Sequence, residues 1–167
     1  PYLGLDVSKN LINIANQEDH SPIHQYKVQD ITKPFNLSKT FTHLTCILAF
    51  QNLELPGEMI KNAANHMSQD SQFLIVINHP IFRIPRLTSW GIDPKSKTQF
   101  RRIDKYMTPR EIPITANPSE KHSQITWSYH HSLQDIFKFL RHQNLTVSDL
   151  REWVSDKHSV GTAAKME

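Results

Sequence analysis

The stretch Tyr2-Leu3-Gly4-Leu5-Asp6-Val7-Ser8 decides the fold. It is a short, mostly apolar run that ends on a carboxylate, the pattern of a strand buried in a sheet. Leu11, Ile12, Ile14 and Ala15 follow at helical spacing, with Ser8 placed to cap that helix. Outward from there the same rhythm repeats. Ile23 to Val28 reads as a second strand, and Leu44 to Phe50 as a third, apolar without alternation, as in strands covered on both faces. Pro56-Gly57 opens a helix through Met59, Ile60, Ala63, Ala64 and Met67, and Phe73 to Ile77 is the next strand. Strand, helix, strand, helix with apolar strands predicts an α/β fold built on a mostly parallel sheet flanked by helices.

The rhythm breaks after Ile77. Residues 78 to 117 hold five of the ten prolines and little periodicity, which predicts an insertion rather than further sheet. Regularity returns in a strand from Gln124 to His130, with Ile125, Trp127 and Tyr129 alternating. Ser132 is placed to cap a helix through Leu133, Ile136, Phe137 and Leu140. Leu145 to Val154 is expected to be a last strand. On this reading the chain is a single domain over 1–167, with an insertion or substrate cap at 78–123 and a loosely held polar tail at 155–167.

Composition excludes several classes. The 167 residues carry 19 Lys plus Arg against 16 Asp plus Glu, a formal charge of +3. Arg101-Arg102 is the sole adjacent basic pair, so the charge pattern does not favour long nucleic acid as a partner. There is no apolar run of about 18 residues to span a bilayer, and the first residues show no secretory signal, which points to the cytoplasm. The four glycines, at 4, 57, 91 and 161, are too scattered to form a phosphate-binding loop. Cys46 is the single cysteine and lies mid-strand among apolar neighbours, so neither a disulfide framework nor a thiol nucleophile is expected. No metal site is expected either. Pro22 separates His20 from His24, and adjacent His130 and His131 point to opposite faces of a strand.

In an open parallel sheet, ligands bind beyond the carboxyl ends of the strands. Asp6, Asp30, Gln51 with Asn52, and Asn78 with His79 all stand at such ends. A carboxylate at Asp6 suits the paired hydroxyls of a ribose, and equally suits the backbone donors of the following helix. Asp30 suits an adenine amino group with Ile31 beside the ring, or an ordinary turn. The insertion offers Phe82, Arg83, Arg86, Trp90 and Tyr106, aromatic and cationic groups on a proline-stiffened segment, which suit a planar or anionic substrate or else pack as a structural arm. His79 and His130 are the candidate proton acceptors.

These residues resemble class I S-adenosylmethionine-dependent methyltransferases. Tyr2 to Ser8 with Leu11-Ile12 and Ala15 is similar to that family's second strand and following helix, and Gln29-Asp30-Ile31 to its adenine-contacting motif. Phe41 through Glu54 resembles its fourth strand and loop. The run Asn78-His79-Pro80-x-Phe82-Arg83-x-Pro85-Arg86, with Ser89-Trp90-Gly91, Tyr106-Met107, Trp127-Ser128-Tyr129-His130 and Glu152-Trp153, resembles a bacterial subgroup of uncharacterised members. The resemblance implies a Rossmann-like fold and S-adenosylmethionine as cofactor, bound by Asp6, Val7, Asp30, Ile31, Phe50 and Gln51. It implies methyl transfer to an acceptor, most simply a small molecule. It also implies that the family's first strand and glycine-rich loop would lie before Pro1. This chain then reads as a partial domain whose sheet needs another segment of the same domain, or another chain, for completion. A nicotinamide-dependent oxidoreductase shares the strand-end acid on a ribose and is the first alternative. A non-catalytic binding module on the same fold is the second.

Overall fold

The computed structural model describes residues 1–115 and 125–154. The expected tail at 155–167 and the 116–123 end of the expected cap lie outside the described residues. The chain divides into two compact units, one formed by Pro1–Thr45 with Leu55–Leu74, the other by Cys46–Glu54 with the described residues from Ile75 onward.

The first unit is α/β, as the sequence predicts. Strand β1 (Tyr2–Asp6) leads through helix α1 (Lys9–Glu18) to β2 (His24–Val28), which pairs parallel to β1 with Asp6 opposite Val28. Ser8 caps α1 by accepting the Leu11 N–H at 3.3 Å. Gly4 lies opposite Tyr26, and a Cβ there would stand 2.6 Å from the Tyr26 ring, so only glycine allows this close approach. Strand β3 (Phe41–Ile47) and β4 (Met67–Val76) form a second pair, joined by helix α2 (Pro56–Asn65) with Pro56 in its first turn. The Phe41 N–H donates to the His66 carbonyl and the Leu48 N–H to the Val76 carbonyl, so this pair is parallel too. Ile60 and Met59 on α2 and Ile12 on α1 are buried. Complete burial of a side chain such as Ile60 contributes about 2 kcal/mol. β4 begins at Met67, six residues before the apolar run that announces it. The polar stretch Ser68 to Gln72 enters the strand through pairing with β3, and Asp70 takes a positive φ of 58° within it.

The second unit corrects the sequence reading in two places. The segment expected to lack regular structure contains three strands, each in an antiparallel pair. β5 (Thr88–Ile92) pairs with β6 (Gln99–Ile103), and β7 (Arg110–Thr115) pairs with β8 (Ile125–His130). The β5–β6 connection is closed by Asp93, whose Oδ1 accepts from the backbone N–H groups of Lys95 and Ser96 at 2.9 and 2.7 Å. The alternation in β8 is present, but its apolar members face out. Ile125 is 65% exposed and Trp127 45%, while Ser128 and His130 are buried. Finally, Leu145 to Val154 forms no strand. Helix α3 (Leu133–Arg141) starts where expected. Ser132 and Asp135 form a reciprocal capping box, in which Ser132 Oγ accepts the Asp135 N–H and Asp135 Oδ2 accepts the Ser132 N–H, each at 3.2 Å. No helix among the described residues is long and apolar enough to cross a membrane.

Candidate functional site

Two groups of residues carry chemistry, one in each unit. In the first unit, Asp6 ends β1 and Asp30 follows β2, at the carboxyl ends of adjacent parallel strands. The two ends are tied together, for the Gln29 N–H donates to the Asp6 carbonyl at 2.8 Å. In both acids one carboxylate oxygen serves the local turn. Asp6 Oδ1 accepts the Ser8 N–H at 2.7 Å, and Asp30 Oδ1 accepts the Thr32 N–H at 2.9 Å and the Thr32 hydroxyl at 2.6 Å. The Thr32 hydroxyl and then the Thr32 N–H draw the Asp30 carboxyl below its ordinary range, so it is ionised at neutral pH. The Oδ2 atoms of both acids have no hydrogen-bond partner among the described residues. The local turn role and a ligand role are therefore compatible, one per oxygen. Val7 is 70% exposed beside Asp6, and Ile31 is half-buried beside Asp30.

In the second unit a cavity of about 30 Å³ lies among residues that include Phe50, Gln51, Asn78, Arg83, His130 and His131. That volume admits a group the size of a water molecule or an amine. Phe50 and Gln51 sit in a single 3₁₀ turn, Phe50–Asn52, directly after Leu48. Leu48 has a φ of 53°, a conformation that costs a residue with a Cβ about 1 kcal/mol. The bend is held by Gln51, whose Nε2 donates to the Leu48 carbonyl at 2.7 Å. Gln51 Oε1 and His131 Nδ1 are buried without hydrogen-bond partners among the described residues. Burial lowers the affinity of His131 for a proton, which keeps its imidazole neutral.

The two histidines singled out by sequence differ in what their nitrogens do. His79 Nδ1 faces the N–H groups of Ile81 and Phe82 at 3.1 and 3.3 Å, so it must be the acceptor, and Nε2–H donates to Glu152. Both nitrogens are committed. His130 Nε2 lies 2.7 Å from the Tyr106 carbonyl, so Nε2 carries the proton and Nδ1 holds the lone pair. The Tyr106 hydroxyl in turn accepts the Leu133 N–H at 3.0 Å, fixing that residue to the start of α3. Thus His130, Arg83, Phe50 and Gln51 line one cavity. His79, Phe82, Arg86, Trp90 and Tyr106 are not part of its lining, though Tyr106 touches it through His130.

Arg101 is a residue the sequence reading passed over. Its Nη2 donates to the Phe82 carbonyl at 2.8 Å and to the Thr88 hydroxyl at 2.9 Å, and its guanidinium lies 5.0 Å from the centre of the Trp90 ring. The signal was present in register, since Trp90 pairs with Arg101 across β5 and β6, but needs the hairpin to be seen. No group of three or more His, Cys, Asp or Glu among the described residues is placed to hold a metal ion.

No family model matches the chain, and no curated protein matches it. Solved structures do. A S-adenosylmethionine-dependent methyltransferase from Mesorhizobium loti is similar with a TM-score of 0.74 at 20% identity, over 90% of this chain and 66% of that one. A protein from Listeria monocytogenes described in the same terms has a TM-score of 0.67 at 17% identity, over 84% and 64%. One from Clostridium acetobutylicum has a TM-score of 0.63 at 17% identity, over 96% and 70%. The fold is therefore the Rossmann-like α/β fold of these methyltransferases, and the chain spans about two thirds of their length.

Proposed function

We propose that the protein transfers a methyl group from S-adenosylmethionine to a small-molecule acceptor bearing an N–H or O–H group. One observation carries the reading. Two acids stand at the carboxyl ends of adjacent parallel strands of a methyltransferase fold, and each keeps one carboxylate oxygen without a hydrogen-bond partner among the described residues. A vicinal diol needs an acceptor of this kind, and charge-assisted bonds from hydroxyl to carboxylate are strong. Asp6 takes the ribose hydroxyls, with Val7 beside them. Asp30 takes the adenine amino group, with Ile31 against the ring. When bound, S-adenosylmethionine supplies a methyl group already activated by its sulfonium.

The protein's own share is to orient the acceptor, exclude water and receive a proton. His130 suits the last task better than His79. Its Nε2–H is pinned by the Tyr106 carbonyl, which leaves Nδ1 as the lone pair in a buried imidazole, whereas both nitrogens of His79 are engaged. Arg83, in the lining of the same cavity as His130, supplies the acceptor's surroundings, whereas Phe82, Arg86, Trp90 and Tyr106 stand outside that lining.

Calorimetric titration of the full-length protein with S-adenosylhomocysteine tests the reading. Binding is expected, with loss of about tenfold or more in Asp6→Ala, the weight of a charge-assisted hydrogen bond. Unchanged affinity in that variant removes the ribose assignment. Binding of a nicotinamide dinucleotide in place of S-adenosylhomocysteine overturns the cofactor class.

A further inference from the structure

Asp30 and Ile31 belong to a loop of irregular backbone, and such a segment does not hold its own shape without partners. The partners here come from α2. Asn62 is buried and directs its Nδ2 at two backbone carbonyls, Ile31 and Lys33, each at 2.9 Å. Two facing carbonyls require two protons, so the amide nitrogen is unambiguously on that side and both of its hydrogens are used. One helical turn on, His66 is also buried. Its Nδ1–H donates to the Asn62 carbonyl at 2.7 Å, and its Nε2 accepts the Leu37 N–H at 3.0 Å. The Phe35 ring stacks on the imidazole at 4.9 Å between centroids and 11° between planes. The loop is thus gripped at 31, 33, 35 and 37 by two side chains four residues apart on one helix face. Inside the grip, the Lys33 N–H closes onto the Asp30 carbonyl at 3.1 Å, and Thr32 holds Asp30 Oδ1.

We infer that Asn62 and His66 are positioning residues for the nucleoside end of the cofactor site, holding the Asp30–Ile31 loop in its binding shape before any ligand arrives. This rests on the assignment of Asp30 and Ile31 made above. Neither side chain touches the ligand. They act by clamping the backbone, so that Asp30 Oδ2 and the Ile31 side chain are presented at no ordering cost on binding. Asn62→Asp is the informative variant. It keeps the size of the side chain but removes both donors and sets a carboxylate against two carbonyl oxygens.

The experiment uses the full-length protein and two probes, S-adenosylhomocysteine and adenosine. Asn62→Asp is expected to weaken both by about the same factor, roughly tenfold for two lost hydrogen bonds. A defect confined to stability would lower the melting temperature and leave both affinities intact at a temperature where the variant is folded, and that result overturns the inference. Should the variant not fold, hydrogen exchange on the unaltered protein decides. The Thr32, Lys33 and Leu37 amides are expected to be protected without ligand, on the scale of amides within α2. Free exchange of these amides that slows only when ligand is added would mean the loop is shaped by the ligand, and would overturn the inference. If the unaltered protein binds neither probe, the cofactor assignment itself has failed, an outcome distinct from both.

Discussion

At the scale of the residue, Asp19 shows how much a few hydrogen bonds do to one charge. The Tyr26 hydroxyl, the Ser21 N–H and His24 Nδ1 all donate to its carboxylate. Tyr26 contributes most, and together they hold the Asp19 carboxyl at about 2, below its ordinary 3.8. The same bond pushes the Tyr26 phenol up to about 12. A carboxyl depressed on folding stabilises the native state above its ordinary value, and that contribution fades as the pH falls through about 2. The raised phenol works in the opposite sense, contributing below about 10 and fading as the pH rises through about 12. Following the Asp19 carboxyl carbon by NMR through an acid titration is expected to give a midpoint near 2. In Tyr26→Phe the midpoint should move up toward 3.8, and a midpoint that stays put would show that the other donors suffice. None of this was legible in the sequence, where Asp19 is simply a polar residue at a helix end. The strand-end acids were legible, because a carboxylate terminating an apolar run is a one-dimensional pattern. Asn62 and His66 were not, because their task is defined by backbone groups about thirty residues away in the chain, carbonyls for Asn62 and an N–H for His66.

At the scale of the element, caps and breakers were read directly. Ser8, Pro56 and Ser132 each begin the helix expected of them, since capping depends on neighbours within a turn. Ser132 is the one to test. Its side chain is buried, and the hydroxyl both accepts the Asp135 N–H and donates to Asp135 Oδ2, so Ser132→Ala is expected to cost about 1 kcal/mol and lower the melting temperature by about 2–4 °C. A thermal scan that shows no change would mean that α3 is held wholly by packing. Strands were read less well. β5, β6 and β7 hide among prolines, and Pro113 sits within β7 opposite Trp127, where sequence alone argues against a strand. In β8 the period was right. The rule that apolar side chains point inward fails there, for Ser128 and His130 are buried and line a cavity while Ile125 and Trp127 are exposed.

At the scale of the whole molecule, the buried apolar side chains are few. Among the described residues they number eight: Ile12, Cys46, Phe50, Met59, Ile60, Ile84, Ile112 and Ile136. Many large apolar side chains stand in solvent, among them Ile23, Ile47, Leu74, Ile92 and Trp153. Surfaces of this kind attract one another and attract apolar dyes. The 167-residue chain on its own is therefore expected to bind anilinonaphthalene sulfonate strongly and to self-associate as its concentration rises in sedimentation velocity runs. A monomer that ignores the dye would show that these side chains are better covered than their exposure indicates. The α/β class was legible at this scale from the strand–helix rhythm of the first half alone. The division into two units was not, because β3 and β4 each contribute residues to both.

Leu48 carries a consequence for the history of the chain. A half-exposed leucine in a left-handed conformation gains little from its side chain and would be more comfortable as asparagine or glycine. A population screened only for heat tolerance would discard this codon early. Leu48→Gly and Leu48→Asn are therefore expected to raise heat tolerance, so heat tolerance alone does not account for a leucine beside Phe50 and Gln51.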